Sequence, residues 1–302
     1  MKRRVLTFVV SLLVAGFAVP AFAVDFLVGA KTGYFVWQPY FKDMKGSGVE
    51  ELETGSGVLY GPTLGVILTD DISFSAVALY GTQSTYWDNE NTVKPFGPQT
   101  IISTGNFYGE IDRVDLDSAF SYRVSESFKV FLGYKYQYTE STVRGSFLST
   151  DPALPNNDRF QVLDAVIQVP AHGPALGVGY SRTIESNFFI SMNLSGLYLF
   201  SRHKFAEDQI KTYEVTGAAQ IDLQSTNEGA TGRTYATQQM GLNAEPAVGI
   251  VVGNVVATLG VRFQWVRIRF IDKPMIDTVQ FGPTGWMNDY LYGVFVGAMY
   301  RL

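Results

Sequence analysis

The sequence contains no cysteine, which removes disulfides, thiolate metal sites, cysteine nucleophiles and a lipid-modified N-terminal cysteine together. Histidine is scarce too. His172 and His203 are the only two, so neither a histidine metal site nor imidazole catalysis has much to draw on, and no metal or cofactor is expected. Charged residues make up only 17% of the chain. Beyond the N-terminal segment no apolar run reaches the roughly 18 residues that a membrane-crossing helix needs, so any membrane role falls to strands. Basic charge is also short. The formal net charge is −5 including Lys2, Arg3 and Arg4, so the chain beyond those three carries about −8, the wrong sign for nucleic acid.

What is present is apolar and patterned: 46% hydrophobic residues, 14% aromatic, and 30 glycines. Such a chain folds. Its first residues read as an export signal, with Lys2, Arg3 and Arg4 as a charged n-region, Val5 to Val19 as an apolar h-region, and Ala21-Phe22-Ala23 as an A-x-A cleavage site. Cleavage is expected after Ala23. Residues 1–23 are then a signal peptide and 24–302 a single domain.

From Asp25 onward apolar and polar residues alternate in segments of about ten, the length a tilted membrane strand requires. In the clearest segment Val114, Leu116, Ser118, Phe120, Tyr122 and Val124 fall on one face, and Arg113, Asp115, Asp117, Ser121 and Arg123 on the other. After Ser125-Glu126-Ser127 the pattern resumes from Phe128 to Thr139, with Phe131 out of phase. Phe188 to Ser201, Met240 to Ile250 and Val255 to Trp265 repeat it, and weaker matches lie at Phe26 to Val36, Val58 to Leu68, Ile72 to Gln83, Ala175 to Ile184 and Tyr290 to Leu302. The expected fold is an all-β, antiparallel up-and-down barrel of about ten strands, with twelve or eight as alternatives. Twelve would follow if the alternating runs Phe160 to Val169 and Thr212 to Leu223 formed an extra wall pair rather than extending strands above the membrane.

Connections alternate in length. Thr69-Asp70-Asp71, Ser125-Glu126-Ser127, Glu185-Ser186-Asn187 and Gly253-Asn254 are short, whereas Gln38 to Ser56, Ser84 to Gly109, Ser141 to Gly173, His203 to Ala236 and Ile271 to Asp289 are long and polar. Outer-membrane barrels have this asymmetry, with periplasmic turns and external loops. Glycines collect on the inferred inner face, Gly196 excepted. Outward aromatics gather at strand ends, Tyr122, Phe128, Tyr180, Phe188 and Tyr300 near the periplasm and Tyr34, Tyr60, Tyr80, Tyr138, Phe200, Trp265 and Tyr290 near the outside, as two girdles. The last segment, from Tyr292 through Gly297 and Tyr300 to Leu302, resembles the C-terminal strand by which outer-membrane barrels are recognised for assembly; Leu302 stands where most carry phenylalanine. This resemblance implies a bacterial outer-membrane protein in contact with membrane lipid and, during biogenesis, with the barrel-assembly machinery, with some surface ligand as a further partner.

A barrel of this size has an interior only slightly wider than side chains fill. The inward polar residues Asp115, Asp117, Arg123, Lys135, Asn193, Asn243, Glu245, Arg262 and Gln264 either line a narrow water path or form a salt-bridged plug. The plug is favoured, because buried charges must be paired. Counting back from the turns brings Asp117 opposite Lys135 and Glu245 opposite Arg262. Ten strands is also the architecture of the omptin surface proteases, but their paired aspartates facing an Asp-x-His are missing: Ser201 precedes His203 by two, and the second loop offers Asp88-Asn89-Glu90. A lipid-modifying site would need more than His172 near Ser181 or Ser191. The acidic first loop, with Asp43, Glu50, Glu51 and Glu53, matches no calcium-loop spacing. The function expected is that of a non-enzymatic integral barrel with an obstructed lumen and surface loops for interaction or envelope roles, without catalytic residues; a narrow porin and a surface hydrolase are the alternatives.

Overall fold

The computed structural model of the chain describes residues 25–40, 54–96, 99–150, 158–216, 220–228, 234–271, 275–276, 279–280 and 285–302. Alternation dictates strands, and strands are what form: β1 Asp25–Gln38, β2 Gly55–Ile67, β3 Ile72–Phe96, β4 Gln99–Arg123, β5 Phe128–Thr150, β6 Asp158–Thr183, β7 Phe188–Thr216, β8 Gln220–Glu228, β9 Thr234–Val252, β10 Val255–Phe270, the two-residue β11 Met275–Ile276 and β12 Val279–Gln280, and β13 Met287–Arg301. Pairing runs β6-β5-β4-β3-β2-β1-β13-β10-β9-β7, and β7 also pairs with β6. That last pairing closes a ring of ten antiparallel strands. β8 pairs only with the far end of β7, and β11 only with β12, so neither adds to the wall and the twelve-stranded alternative is excluded. Among the described residues no helix is long and apolar enough to cross a membrane.

Four tight turns join strands at one end. Ser125 to Ser127 closes by Val124 N–H donating to the Phe128 carbonyl at 2.9 Å, and Thr69 caps its turn by accepting from the Ile72 N–H at 3.0 Å. Gly253 sits at φ +57°, a left-handed conformation that favours glycine. At the other end the wall is lopsided. β3 to β7 run 23 to 29 residues each, whereas β1, β2, β10 and β13 run 13 to 16. A membrane crossing uses only about 9–11 residues. Most of the three stretches expected as loops at Ser84 to Gly109, Ser141 to Gly173 and His203 to Ala236 is therefore continuous sheet rising beyond the barrel, with pairing as far as Phe96↔Gln99, Ser149↔Arg159 and Thr216↔Gln220. Polar segments form strands there as well, because paired backbone satisfies its own hydrogen bonds outside the membrane. The first-loop residues Asp43, Glu50, Glu51 and Glu53 lie outside the described residues, as does the segment 1–24.

The two faces of the wall are reversed relative to a soluble barrel. Leu132, Leu176, Phe120, Leu259 and Val294 stand exposed on the outside, while Arg113, Asp115, Lys135, Arg262 and Gln264 are buried inside. Only hydrocarbon makes that arrangement favourable. The inward exception Phe131 has a physical reason: it lies directly opposite Gly177, and a Cβ at Gly177 would come within 2.3 Å of its ring. Phe189 covers Gly249 in the same way. Each ring fills the space its glycine leaves.

Candidate functional site: the barrel lumen

Alternation along β1, β4, β5, β9 and β10 aims Lys31, Arg113, Asp115, Asp117, Lys135, Glu245 and Arg262 at the barrel axis. Asp117 pairs with Lys135 across β4 and β5, and the ammonium donates to its carboxylate at 2.8 Å. Arg262 donates to the other Asp117 oxygen, also at 2.8 Å, and its Nε lies 3.3 Å from Glu245. Lys31 holds the remaining Glu245 oxygen at 2.9 Å and sits 3.7 Å above the Phe295 ring. Asp115 is gripped by Arg113 at 3.1 Å, with Lys135 at 3.8 Å and Arg262 at 3.7 Å. Four cations and three carboxylates thus form one connected network, as a polar group at this depth requires.

The network spans the lumen. β4 and β10 are five steps apart either way round the ring, so the Asp117–Arg262 contact runs along a full diameter. One level up, Gln264 accepts from Arg262 at 3.4 Å and donates to Gln137 of β5 at 3.1 Å, a second crossing. Phe35, Trp37, Leu59, Leu79, Ile111, Leu291 and Phe295 pack as one apolar cluster that begins beside the network, with Leu79 paired with Asp115 and Phe295 against Lys31, and reaches past it to Trp37 and Leu291; Tyr40, Leu197, Val266, Ile268 and Met287 pack as another toward the tall end. Trp37 donates to Asp289 at 2.9 Å, and the Tyr40 hydroxyl meets His203 Nδ1 at 2.9 Å, joining the end of β1 to β7. Burial, with Asp289 nearby, pushes the Tyr40 phenol above its usual range. The space between these groups, among Trp37, Tyr40, Gln137, Thr139 and Asp289, is about 30 Å³, room for a water or two. Below the network the lumen is roomier. A cavity of about 170 Å³ lies among Val77, Lys129, Phe131, Asn193 and Asn243, and one of about 280 Å³ lies at the turns.

Of the polar residues expected inside, Asp115, Asp117, Lys135, Glu245, Arg262 and Gln264 meet. Asn193 and Asn243 line the lower cavity instead, the buried Asn243 Oδ1 without a hydrogen bond. Arg123 stands exposed at the turn end, beside Ser125 and Glu126. Lys31 and Gln137 join the network as well; the alternation puts Gln137 on the inner face, but neither residue was among the polar residues expected to meet. Neither histidine is a solvated loop residue. His203 is 1% exposed inside the upper barrel, packed on Phe270 and Tyr40. His172 is on the outer face, 3.0 Å from the Tyr134 hydroxyl, so the wall separates it from the inward Ser181 and Ser191. Among the described residues no group of three histidine or acidic side chains could hold a metal ion.

Outside, Tyr34, Tyr60, Tyr122, Phe128, Phe188, Phe200 and Tyr300 are exposed, and Tyr80, Tyr138, Tyr180, Trp265 and Tyr290 share their face half-buried. Neighbours pack against each other: Tyr60 meets Tyr80 edge to face, and Phe128 leans tilted on Tyr180. A closed barrel with an apolar exterior, a polar interior, tight turns at one end and tall strands at the other has one medium that fits it. The chain is a bacterial outer-membrane β-barrel. No family model and no curated protein matches it. Among solved structures it is similar to the outer-membrane protease OmpT of Escherichia coli, at 10% identity and a TM-score of 0.42 over 94% of this chain and 99% of that one. It is also similar to the outer-membrane protein OprG of Pseudomonas aeruginosa, at 12% identity and 0.31 over 93% and 96%, and to the toluene transporter TodX of P. putida, at 10% and 0.33 over 94% and 90%. Likenesses this loose say nothing of activity.

Proposed function

We propose that this barrel neither conducts nor catalyses, and that it presents its tall external sheet, β3 to β8, to envelope or surface partners while its own side chains close the lumen. The observation that carries the reading is the Asp117–Arg262 contact, because two side chains bonded across a full diameter leave no axial path between them. The apolar layer above supports it, since the space left among its side chains has room for only a water or two and ions do not cross so narrow an apolar constriction. Catalysis has no support in the histidines: His203 is enclosed with a tyrosine partner, and His172 faces lipid. In this reading residues 1–23 are removed on export, the two rings of outward aromatics seat the barrel in the membrane interfaces, and Gly297, Tyr300 and Leu302 serve assembly.

Planar-bilayer recording on the purified protein tests closure, with no stable conductance steps expected; discrete steps would overturn the reading. Incubation with peptides and with lipid A is expected to give no turnover, and a product in either arm would restore the hydrolase. Intact mass should begin at Val24.

A further inference from the structure

The outer rim of the wall is electrically divided. Two residues above Tyr138 on the outer face stands Glu140, paired with Asp112 across β4 and β5. Both have neutral partners: Thr82 donates to Asp112 at 2.6 Å, and Tyr138 and Gln168 donate to Glu140 at 2.7 and 3.0 Å. On β7, two and four residues above Phe200, come Arg202 and Lys204; on β10, two and four above Trp265, come Arg267 and Arg269. β9 lies between them, with Arg202 opposite Ala236 and Arg269 opposite Gln238. All four cations are exposed. None has an acidic partner among the described residues. Their fixed neighbours are neutral: Trp286 lies 5.6 Å from Arg267 and 5.3 Å from Arg269, and the Gln238 amide accepts from Arg269 at 3.5 Å.

Four exposed cations with no acidic neighbour make a patch of one sign that favours an anion. Its depth selects the anion. The cations project from a lipid-facing wall one step above an aromatic ring, where lipid headgroups lie. Phosphate is the headgroup anion that a guanidinium grips in two-pronged fashion, and three of the four are arginines. The indole beneath Arg267 and Arg269 limits how far their heads can wander, which lowers the ordering cost of binding. We infer that the outer face of β7, β9 and β10 holds the phosphorylated headgroup of an outer-leaflet lipid, with Arg202, Lys204, Arg267 and Arg269 as the phosphate-binding residues. The site needs the barrel to sit in a membrane and does not depend on the lumen being closed.

Native mass spectrometry on the intact protein in a phosphate-free detergent tests it, with bis-phosphorylated lipid A, the same lipid after chemical dephosphorylation, and inorganic phosphate as separate probes. The phosphorylated lipid is expected to bind at least about tenfold more tightly than the dephosphorylated one, given what each cation contributes beside an anionic surface. The variant with all four changed to Gln should lose that preference while keeping its heat-modifiable gel shift; Glu140→Gln, on the opposite rim, should keep it. If the fourfold variant does not fold, Arg202→Gln with Arg269→Gln should still narrow the ratio. Equal retention of both lipids by the unaltered protein, an undiminished ratio in the folded variants, or displacement of the lipid by millimolar inorganic phosphate would each overturn the assignment.

Discussion

Asp117 of β4 and Arg262 of β10 meet at 2.8 Å although five strand-to-strand steps separate them in either direction round the ring. Nothing local holds them together. The contact exists because the barrel closes at this diameter, so it reports on closure itself. Each single change, Asp117→Asn or Arg262→Gln, leaves a charge facing a gap, a loss on the order of 3–5 kcal/mol in a dry interior. The Asp117 side chain is 33% accessible, so the expected loss there is nearer ~2 kcal/mol. A double-mutant cycle read by urea unfolding in detergent should show coupling above about 1 kcal/mol, and strict additivity would mean that the strut is not formed.

The Phe131–Gly177 pair makes a second prediction. Gly177→Val places new atoms against the Phe131 ring, whose nearest carbon already stands 2.3 Å from where a Cβ would go. The ring must leave its site, with an expected cost of about 1–3 kcal/mol. Phe131→Ala should recover only part of that loss in the double variant, because it removes the ring but leaves the Leu194 carbonyl oxygen 2.4 Å from the same Cβ position. No recovery would indicate that the strand cannot tolerate a branched residue there for another reason.

Tyr40 and His203 show how a buried polar pair differs from its parts. Tyr40→Phe strips His203 Nδ1 of its partner while Nε2 already has none, so about 1–3 kcal/mol should be lost. His203→Leu with Tyr40→Phe replaces both groups by apolar ones inside an apolar cluster and should be closer to neutral. The unfolding midpoints of the two variants decide, and equal losses would show that the hydrogen bond is not what stabilises this layer.

The ten wall strands were legible because inward and outward demands differ so sharply: lipid wants Leu132 and Phe120, the lumen wants Lys135 and Asp117, and period two records the conflict. Register was legible wherever a tight turn fixed it, which is why counting from Ser125-Glu126-Ser127 reaches the Asp117↔Lys135 pair. Contacts across the lumen were not. Lys31 reaches Glu245 from three strands away, and Tyr40 reaches His203 from four; such distances depend on strand number and tilt, which no local pattern encodes. The tall hairpins were legible in part: the alternating runs Phe160 to Val169 and Thr212 to Leu223 pointed to strands above the membrane, whereas Ser84 to Gly109, where both faces meet water and the alternation is lost, reads as loop.

The proposed closure of the lumen has two levels, and that gives the last prediction its shape. The ion network and the apolar layer above it lie in series along one axis, so opening either alone leaves the other in place. Arg262→Ser with Lys135→Ser and Asp117→Ser removes the strut together with one cation beyond neutral exchange, and Lys31 still holds Glu245. Bilayer recordings of that variant should stay silent, because Trp37, Leu291 and Met287 remain buried above it. Trp37→Gly with Met287→Gly alone should also stay silent, since the seven charged groups below are intact. Combining the two sets should produce conductance steps that neither set gives. If the network variant conducts by itself, the upper layer is no barrier and the lumen is closed by charge alone; if the combined variant stays silent while it still shows the gel shift of a folded barrel, closure lies elsewhere and the two-level account is wrong.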